Sequence, residues 1–578
     1  MHKRQVRQVL QDVCSEDEII DDDNSDSESD NCEDSDHNTA SAMSDMSVSS
    51  DDEDYVNYYI GRDKITKWRM EPRKGRVRIC RLNTVPELLG VNKHKAKKCK
   101  TPLECFSIFI DDNIIRIITE CTNIKIDLYS SNKKHAYRTD ETEIKALIGL
   151  LLLAGSIRSG HQNIRDLWDT KALGVDIFRT TMSYHRFSLL LTCLRFDDVT
   201  TRHHRRKLDK LAAIRDVFDI FLTNCQESYL LSEYCTIDEQ LVPFRGRCSF
   251  RQYIPNKPAK YGIKIFTLAD ANSRYTFSME IYVGIQPEGR YKVSNKVLDV
   301  VMRLVQHIEG SGRNVTGDNW FSSIPLAKCL LDKKLSYVGT IRKNKKELPK
   351  EFVTTKNREP KSSIFGFQDE ATIVSYIPKK NRNVLLISTL HVEDNSISIS
   401  NGTEQKPQII SFYNNTKVGV DTVDELCGTY STSRKSNRWP LVIFFRILDI
   451  AGINSQTIYN NNKPRANLKR NKYLQKIGMA LVLEKLRKRS CDFRIPREIR
   501  SKAAKYSGID DPESFKTYET GQSEKKSRCT ICPRRNDIKT KFYCCRCCKK
   551  MCLKHMKNIC ETCLQKDMEY ETDEYSDN

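Results

Sequence analysis

Residues 235–248 read CTIDEQLVPFRGRC. The stretch opens as a β-branched run that predicts a strand, and it sets Asp238 where a core strand should be most deeply buried. A carboxylate there is costly unless a cation or hydrogen bonds answer its charge. Working outward, YGIKIFTLAD (261–270) and RYTFSMEIYVG (274–284) read as strands and KVLDVVMRLVQHI (296–308) as a helix. NVTGDNW (314–320) reads as a strand and its exit, SIPLAKCLLDKK (323–334) as a helix and YVGTIRK (337–343) as a strand. Strands first, then strand and helix in alternation, predict a mixed α/β sheet.

On either side the texture is helical. PLECFSIFIDDNIIRIITECTNI, ETEIKALIGLLLLAGSI and MSYHRFSLLLTCLRF precede the strands, and WPLVIFFRILDIAGINSQTIY and YLQKIGMALVLEKLRKR follow them, with apolar residues near a period of 3.6. These two segments predict one helical domain built from both. Residues 344–408 read as a β-rich insertion, and FYNNTKVGVDTVDELCGTY as an amphipathic helix after it. The longest apolar run, Ala146–Ile157, is shorter than the roughly 20 residues of a membrane span. No segment reads as a signal peptide, so a soluble intracellular protein is expected.

Charge is segregated. Residues 15–54 hold 17 acids and no Lys or Arg, so of the formal +20 the rest of the 578-residue chain carries +37. Such a surplus, clustered in short runs, suits a polyanion, with nucleic acid the expected partner. The acidic tract has too little apolar content to offset its ordering entropy and is expected to be disordered. Between it and Lys100, GRDKITKWRMEPRKGRVRICR and KHKAKKCK read as a basic, structure-poor stretch.

Three acids arrive on separate elements: Asp238 in a strand, Asp318 directly after the apolar NVT, and Asp421 in the helix after the insertion. That pattern suits Mg²⁺, which takes few protein carboxylates and keeps several waters. A pair of such ions serves in-line phosphoryl displacement. Each acid has a plain alternative as a turn cap. Asp270 is read that way and left out, alternation sends Glu239 to the opposite strand face, and Asp424, one turn after Asp421, is an auxiliary ligand.

TIDEQLVPFRGRCSFRQYIPNKPAKYGIKIF, GDNWFSSIPLAKCLL, YVGTIRKNKKELP, FYNNTKVGVDTVDELC and SRKSNRWP together resemble the piggyBac family of DNA transposases, in the same order and at similar spacing over roughly residues 80 to 565. The resemblance implies an RNase H-like catalytic core with an aspartate triad at Asp238, Asp318 and Asp421, and a further aspartate at Asp424. It implies Mg²⁺ (or Mn²⁺) as cofactor, and double-stranded DNA as partner, both as terminal inverted repeats and as TTAA target. The family excises its element through hairpin ends that retain TTAA and joins 3′-hydroxyls to a new TTAA site. Arg342, Lys345 and Trp439 fall on family positions that contact DNA near the active site.

Around Trp439, SRKSNRWP supplies Arg434, Lys435 and Arg438 as phosphate contacts, and the indole suits stacking on an unpaired base. The alternative for Trp439 is a core residue beside Pro440. Lys257 and Lys260 in IPNKPAKYG are further DNA-contact candidates.

Nine of the 22 cysteines lie between Cys529 and Cys563. Four close pairs, Cys529/Cys532, Cys544/Cys547, Cys552/His555 and Cys560/Cys563, predict two Zn²⁺ sites. In a cross-brace the first and third pairs share one zinc and the second and fourth the other, and the piggyBac resemblance includes the same ligand spacing. Cys545 with Cys548 offers a one-residue alternative register.

The expected organisation is a disordered acidic tail and basic arm (1–90), then a split helical DNA-binding and dimerisation domain (91–233 and 431–508). An RNase H-like domain (234–343 and 409–430) is interrupted by the β-rich insertion (344–408). A linker (509–526), a cysteine-rich zinc domain (527–566) and an acidic tail (567–578) complete it. A nuclear homodimer without membrane or small-molecule substrate follows, since one excision cuts two ends and EKKSRC and PRR suit nuclear import. A domesticated descendant that binds DNA or chromatin without cutting, and a nuclease that hydrolyses without joining, are the alternatives.

Overall fold

The strand expected around Asp238 runs Tyr234–Pro243, buried at Cys235–Ile237 and Gln240–Val242 with Asp238 and Glu239 half-buried between, and it lies in the interior of a mixed sheet. The computed structural model describes residues 57–72, 90–91, 94–129, 136–170, 174–255, 257–391, 397–400, 404–466, 468–492, 494–508, 522–542, 550–552 and 555. The acidic tract at 15–54, residues 73–89 and 92–93 of the basic stretch and the acidic end at 567–578 lie outside these residues. Two compact units divide the chain, one drawn from Met1–Ser131, Gly155–Gly160 and Thr192–Leu474, the other from Asn132–Ala154, His161–Leu191 and Gln475–Asn578.

In the first unit the sheet has eleven strands: β1 (Tyr58–Ile60), β2 (Lys67–Arg69), β3 (Tyr234–Pro243), β4 (Gln252–Tyr253), β5 (Tyr261–Asp270), β6 (Thr276–Ile281), β7 (Asn314–Gly317), β8 (Ser336–Thr340), β9 (Ser363–Phe367), β10 (Thr372–Lys379) and β11 (Arg382–Ser388). The order is β1-β2-β9-β10-β11-β8-β7-β3-β5-β4, with β6 also on β5. At its centre β6, β5 and β3 run antiparallel, and β3, β7 and β8 are parallel neighbours. The helices α1 (Val297–Val305) and α2 (Ile324–Asp332) connect β6 to β7 and β7 to β8.

The expected single helix over FYNNTKVGVDTVDELCGTY is two, α3 (Gln408–Thr416) and α4 (Gly419–Thr429), broken at Lys417 and Val418. α4 packs on β3 and β5, and α5 (Trp439–Asn462) packs on α4. Every residue of α5 from Leu441 to Ser455 is buried, which marks a core helix enclosed on all sides. It is long and apolar enough to cross a membrane, and it is mostly buried inside the protein. Its polar groups are answered. Asn454 exchanges two bonds with the Thr276 main chain (2.9 and 2.8 Å), and Asp449 accepts from the Thr432 amide and hydroxyl, both at 2.8 Å.

Part of the basic stretch read as structure-poor is folded. β1 and β2 form a hairpin that joins the sheet edge through Arg69 opposite Phe367, and Trp68 is fully buried. Trp68, with Tyr59 edge-on to Phe352 at 5.2 Å, supplies the apolar packing that the surrounding charge concealed. Within residues 344–408, β9, β10 and β11 continue the central sheet outward from β8.

The second unit is helical. Its helices Glu141–Ser156 and Arg470–Ser490 approach closely at Gly149 and Gly478, where a Cβ on either glycine would meet the other's carbonyl oxygen within 3 Å. Buried Glu143 pairs with Arg186 (2.5 Å) and Lys485 (3.0 Å). The same unit holds an antiparallel hairpin of Gln522–Arg528 and Lys539–Phe542.

Candidate active site and cysteine cluster

The parallel ladder between β3 and β7 ends with Ile237 opposite Gly317, so Asp238 and Asp318 leave it abreast. Two residues before each stands a buried threonine, Thr236 and Thr316, and both reach Thr416 at the end of α3. The Thr236 hydroxyl donates to the Thr416 carbonyl (2.5 Å), and the Thr316 and Thr416 hydroxyls are 2.9 Å apart. At Gly419 a Cβ would lie 2.5 Å from the Thr236 hydroxyl, so only glycine lets α4 start this close to β3. The turn between α3 and α4 is thereby fixed to both strands, and Asp421 sits in the first turn of α4 with its side chain 64% exposed.

Burial, with the nearby Glu239 and Asp318 carboxylates, pushes the Asp238 carboxyl up to about 8. Glu239 is also raised, by burial first and by Asp318, against Lys264 and Lys257, which lower it. Strand alternation separates Asp238 from Glu239, yet electrostatically Glu239 belongs to the same acidic group, a membership that the sequence reading did not give it. Lys257 holds the cluster together: its ammonium donates to the Glu239 carbonyl (3.1 Å) and lies 3.7 Å from Asp421 Oδ1 and 4.0 Å from Glu239 Oε1. Burial works to lower the Lys257 ammonium, but Asp238, Glu239, Asp421 and Asp424 outweigh it and raise it.

Asp318 Oδ1 accepts from the Trp320 and Phe321 amides at 2.9 and 3.4 Å, so this carboxylate caps its turn as well as facing the cluster. The Trp320 ring stacks on Phe266 at 5.1 Å under the Lys264 ammonium. Asp424 pairs with buried Arg446 at 2.9 Å. Asp270 caps the turn after β5 through the Asn272 and Ser273 amides, both at 2.8 Å, as read from the residues. The donors of the acidic group are hard oxygens crowded enough to hold one proton and one ammonium. That is the chemistry a divalent cation such as Mg²⁺ fits.

The residues expected at DNA divide into two kinds. Lys260, Arg342 and Lys435 are exposed and Lys345 is half-buried. Arg434 is buried, donates to the Ser159 hydroxyl at 2.9 Å and is lowered to about 10 by burial. Arg438 donates to the carbonyls of Thr192 and Leu194. Those two guanidiniums are bound to the protein's own acceptors, which nothing in SRKSNRWP foretells. Trp439 is half-buried at the start of α5, edge-on to Phe250 with ring centroids 5.1 Å apart.

In the second unit Cys529, Cys532, Cys552 and His555 bring their ligand atoms within 4.8 Å of one another. This is the only such group of three or more among the described residues. The Cys532 and Cys552 sulfurs are 3.6 Å apart, and His555 Nδ1 lies 3.4 Å from each. Those separations are near the edges of a tetrahedron with Zn–S of about 2.3 Å and Zn–N of about 2.0 Å. Backbone amides of Cys552, Cys532 and Ile531 outweigh burial and lower Cys529 to about 6. Burial and the adjacent Cys552 and Cys529 push Cys532 up to about 12, a crowding that a dication relieves. Cys544, Cys545, Cys547, Cys548, Cys560 and Cys563 lie outside the described residues.

Residues 101–456 match the Transposase IS4 family. The chain is 23% identical over 368 residues to PiggyBac transposable element-derived protein 3 of Homo sapiens, which covers 60% of each. It is also 23% identical over 368 residues to the Chimeric ERCC6-PGBD3 protein of Homo sapiens, covering 60% of this chain and 34% of that one. The chain therefore spans less than two thirds of the length of either relative. Among solved structures it is similar to the piggyBac transposase in a cryo-EM structure of the synaptic complex with hairpin DNA. The TM-score is 0.69 at 35% identity, over 82% of this chain and 100% of that one. A family match spanning more than half the chain and a solved relative 35% identical along its whole length place it in one group: the chain belongs to the piggyBac-type transposases of the Transposase IS4 family.

Proposed function

We propose that this chain is a cut-and-paste DNA transposase that binds terminal inverted repeats, excises its element through hairpin ends and joins 3′-hydroxyls to TTAA sites. The observation that carries the reading is the placement of Asp238 and Asp318 abreast at the end of parallel strands, with the Asp421 helix tied to the same strands. The central strand order, β6-β5-β3-β7-β8 with β3, β7 and β8 parallel, supports an RNase H-like core.

Asp238, Asp318 and Asp421 would hold Mg²⁺ (or Mn²⁺), with Glu239 near them and Asp424 kept by Arg446 on the helix behind. Bound there, the metal supplies Lewis-acid activation of the attacking oxygen and stabilisation of the leaving one. The chain's own share is positional. The threonine anchor keeps two carboxylates on one edge, and Asp238 must give up its proton before its oxygens can act as ligands. Lys260, Arg342, Lys345 and Lys435 neutralise phosphates, and Trp439 supports a base that has left the stack. Cys529, Cys532, Cys552 and His555 hold one zinc, and Cys544, Cys547, Cys560 and Cys563 a second. A homodimer acting in the nucleus completes the reading, because two ends are cut together.

The relative named as a transposable element-derived protein favours one second reading, a domesticated DNA-binding protein without cleavage. Labelled terminal DNA incubated with the protein and Mg²⁺ separates the two. Nicks, hairpins and joining at TTAA, all lost in Asp238→Asn, Asp318→Asn and Asp421→Asn, establish the transposase. End binding with no cleavage establishes the alternative.

A further inference from the structure

Lys257 is presented by a closed loop. Between β4 and β5 the chain turns back through Ile254 N to Lys260 O (2.8 Å), Lys257 N to Ile254 O (3.2 Å) and Lys260 N to Lys257 O (3.0 Å), with Pro255 and Pro258 on either side of the lysine. Lys260 takes the positive φ of 56° that lets so short a turn close. The loop therefore aims the Lys257 side chain inward, where it is 20% exposed, in place of the solvated position usual for lysine.

What it meets there belongs to two elements. On β3 it holds the Glu239 carbonyl at 3.1 Å and faces the Glu239 carboxylate at 4.0 Å; on α4 it faces Asp421 at 3.7 Å. Asp421 is the one acid of the proposed triad carried by a helix, since Asp238 lies in β3 and Asp318 directly follows β7. A single ammonium thus bridges the β3 and α4 sides of the acidic site, close enough to both the Glu239 and Asp421 carboxylates for a near-surface ionic interaction.

We propose that Lys257 is the resident cation of the acidic site, holding the Asp421 helix to β3 in the metal-free protein and giving way when a divalent ion binds. This rests on the metal-dependent reading above. It makes Lys257 a positioning residue that sets the affinity for metal, distinct from a phosphate contact.

The test uses the full chain without DNA. Thermal melting of the parent, Lys257→Met and Lys257→Arg is followed in chelator and across a Mn²⁺ titration, with Mn²⁺ binding measured directly by its paramagnetic resonance signal. Lys257→Met is expected to melt below the parent in chelator, to recover that difference at saturating Mn²⁺, and to bind Mn²⁺ roughly tenfold more tightly, as loss of one competing charge at this range implies. Lys257→Arg keeps the charge and should stay near the parent in both measurements. A melting deficit of Lys257→Met unchanged by Mn²⁺, or Mn²⁺ affinity equal to or weaker than the parent's, overturns the inference while leaving the metal site standing. If Lys257→Met does not fold, the inference stands only if Lys257→Arg retains parental melting and Mn²⁺ affinity, and falls if it does not. Should the parent bind no Mn²⁺ and Asp238→Asn change nothing, the metal-dependent reading and this inference fall together.

Discussion

Thr236 and Thr316 converge on Thr416: one donates to its carbonyl, and the other's hydroxyl lies 2.9 Å from its own. The link works because β3 and β7 are parallel and in register, so residues two positions before Asp238 and Asp318 present neighbouring hydroxyls to the end of α3. Thr416→Val keeps the shape and removes the hydroxyl that also donates to the Phe412 carbonyl at 3.0 Å. A cost of about 1–3 kcal/mol is expected, since the Thr316 hydroxyl is left buried with a partner lost. Cleavage of labelled ends should fall more than end binding does. Equal losses in both would show that the threonines stabilise the fold without positioning the acids.

The proton on Asp238 makes the metal-free protein sensitive to pH. Its carboxyl is raised from 3.8 to about 8 in the folded state, chiefly by burial, so the folded chain holds a proton that the unfolded chain has released. The stabilising contribution is complete below the unfolded value and is lost as pH rises to about 8, at up to about 1.4 kcal/mol per pH unit. Asp238→Asn removes that slope. In chelator, its melting temperature relative to the parent should climb from about pH 4 to about pH 8 and then level off. A difference that stays flat across that range would contradict the raised carboxyl.

Through its contacts, the β1–β2 hairpin shapes the basic loop after β8. Arg62 donates to the carbonyls of Lys343, Lys345 and Leu348, Asp63 N to Lys346 O at 2.9 Å, and the Trp68 indole to Glu347 O at 3.0 Å. Trp68→Ala should cost about 3–5 kcal/mol as a buried aromatic. Arg62→Ala should melt close to the parent yet weaken DNA binding, with a shallower dependence on salt, because Arg342 and Lys345 lose their fixed backbone. Unchanged DNA affinity in Arg62→Ala would separate the hairpin from the interface.

How much of this was legible depends on how local each cause is. The β3 strand and its aspartate could be read because a β-branched apolar run is a property of neighbouring residues. The break between α3 and α4 could not, because Thr416 ends α3 on two strands remote in sequence. Arg446, Asp449 and Asn454 interrupt the apolar run of α5, and only their partners in the fold explain why the helix is core all round. Charge was the wrong guide at Lys67–Arg69, where the buried Trp68 outweighs it. At Arg434 and Arg438 basic residues were read as a surface, although their acceptors at Ser159, Thr192 and Leu194 come from distant sequence.

The cysteine cluster should carry metal in the protein as purified. Elemental analysis of the full chain is expected to show zinc, and Cys552→Ser should lower it by one equivalent, since each of the four groups contributes one ligand atom. Chelation should release thiols that react with a colorimetric thiol reagent. Zinc content unaffected by Cys552→Ser would exclude this cluster as the site.

Trp439 joins packing and DNA contact in one side chain. Its edge meets buried Phe250 at 5.1 Å while the residue as a whole stays half-buried, so part of the indole is fixed and part is open. With Arg434 and Arg438 bonded to the protein, Lys435 is the exposed cation beside it, and stacking rather than charge must supply most of its hold on a displaced base. Trp439→Ala is expected to lose some stability from the missing aromatic pair, about 0.5–1.5 kcal/mol beyond lost area. It should allow the first nick, which needs only duplex at the acids, and impair hairpin closure, which needs the terminal bases out of the stack. Trp439→Phe should restore the contact with Phe250 and part of the hairpin yield. The deciding measurement is a gel separation of nicked and hairpin products beside a thermal melt. Nick and hairpin falling in parallel with the melting temperature would mean that Trp439 serves the core alone.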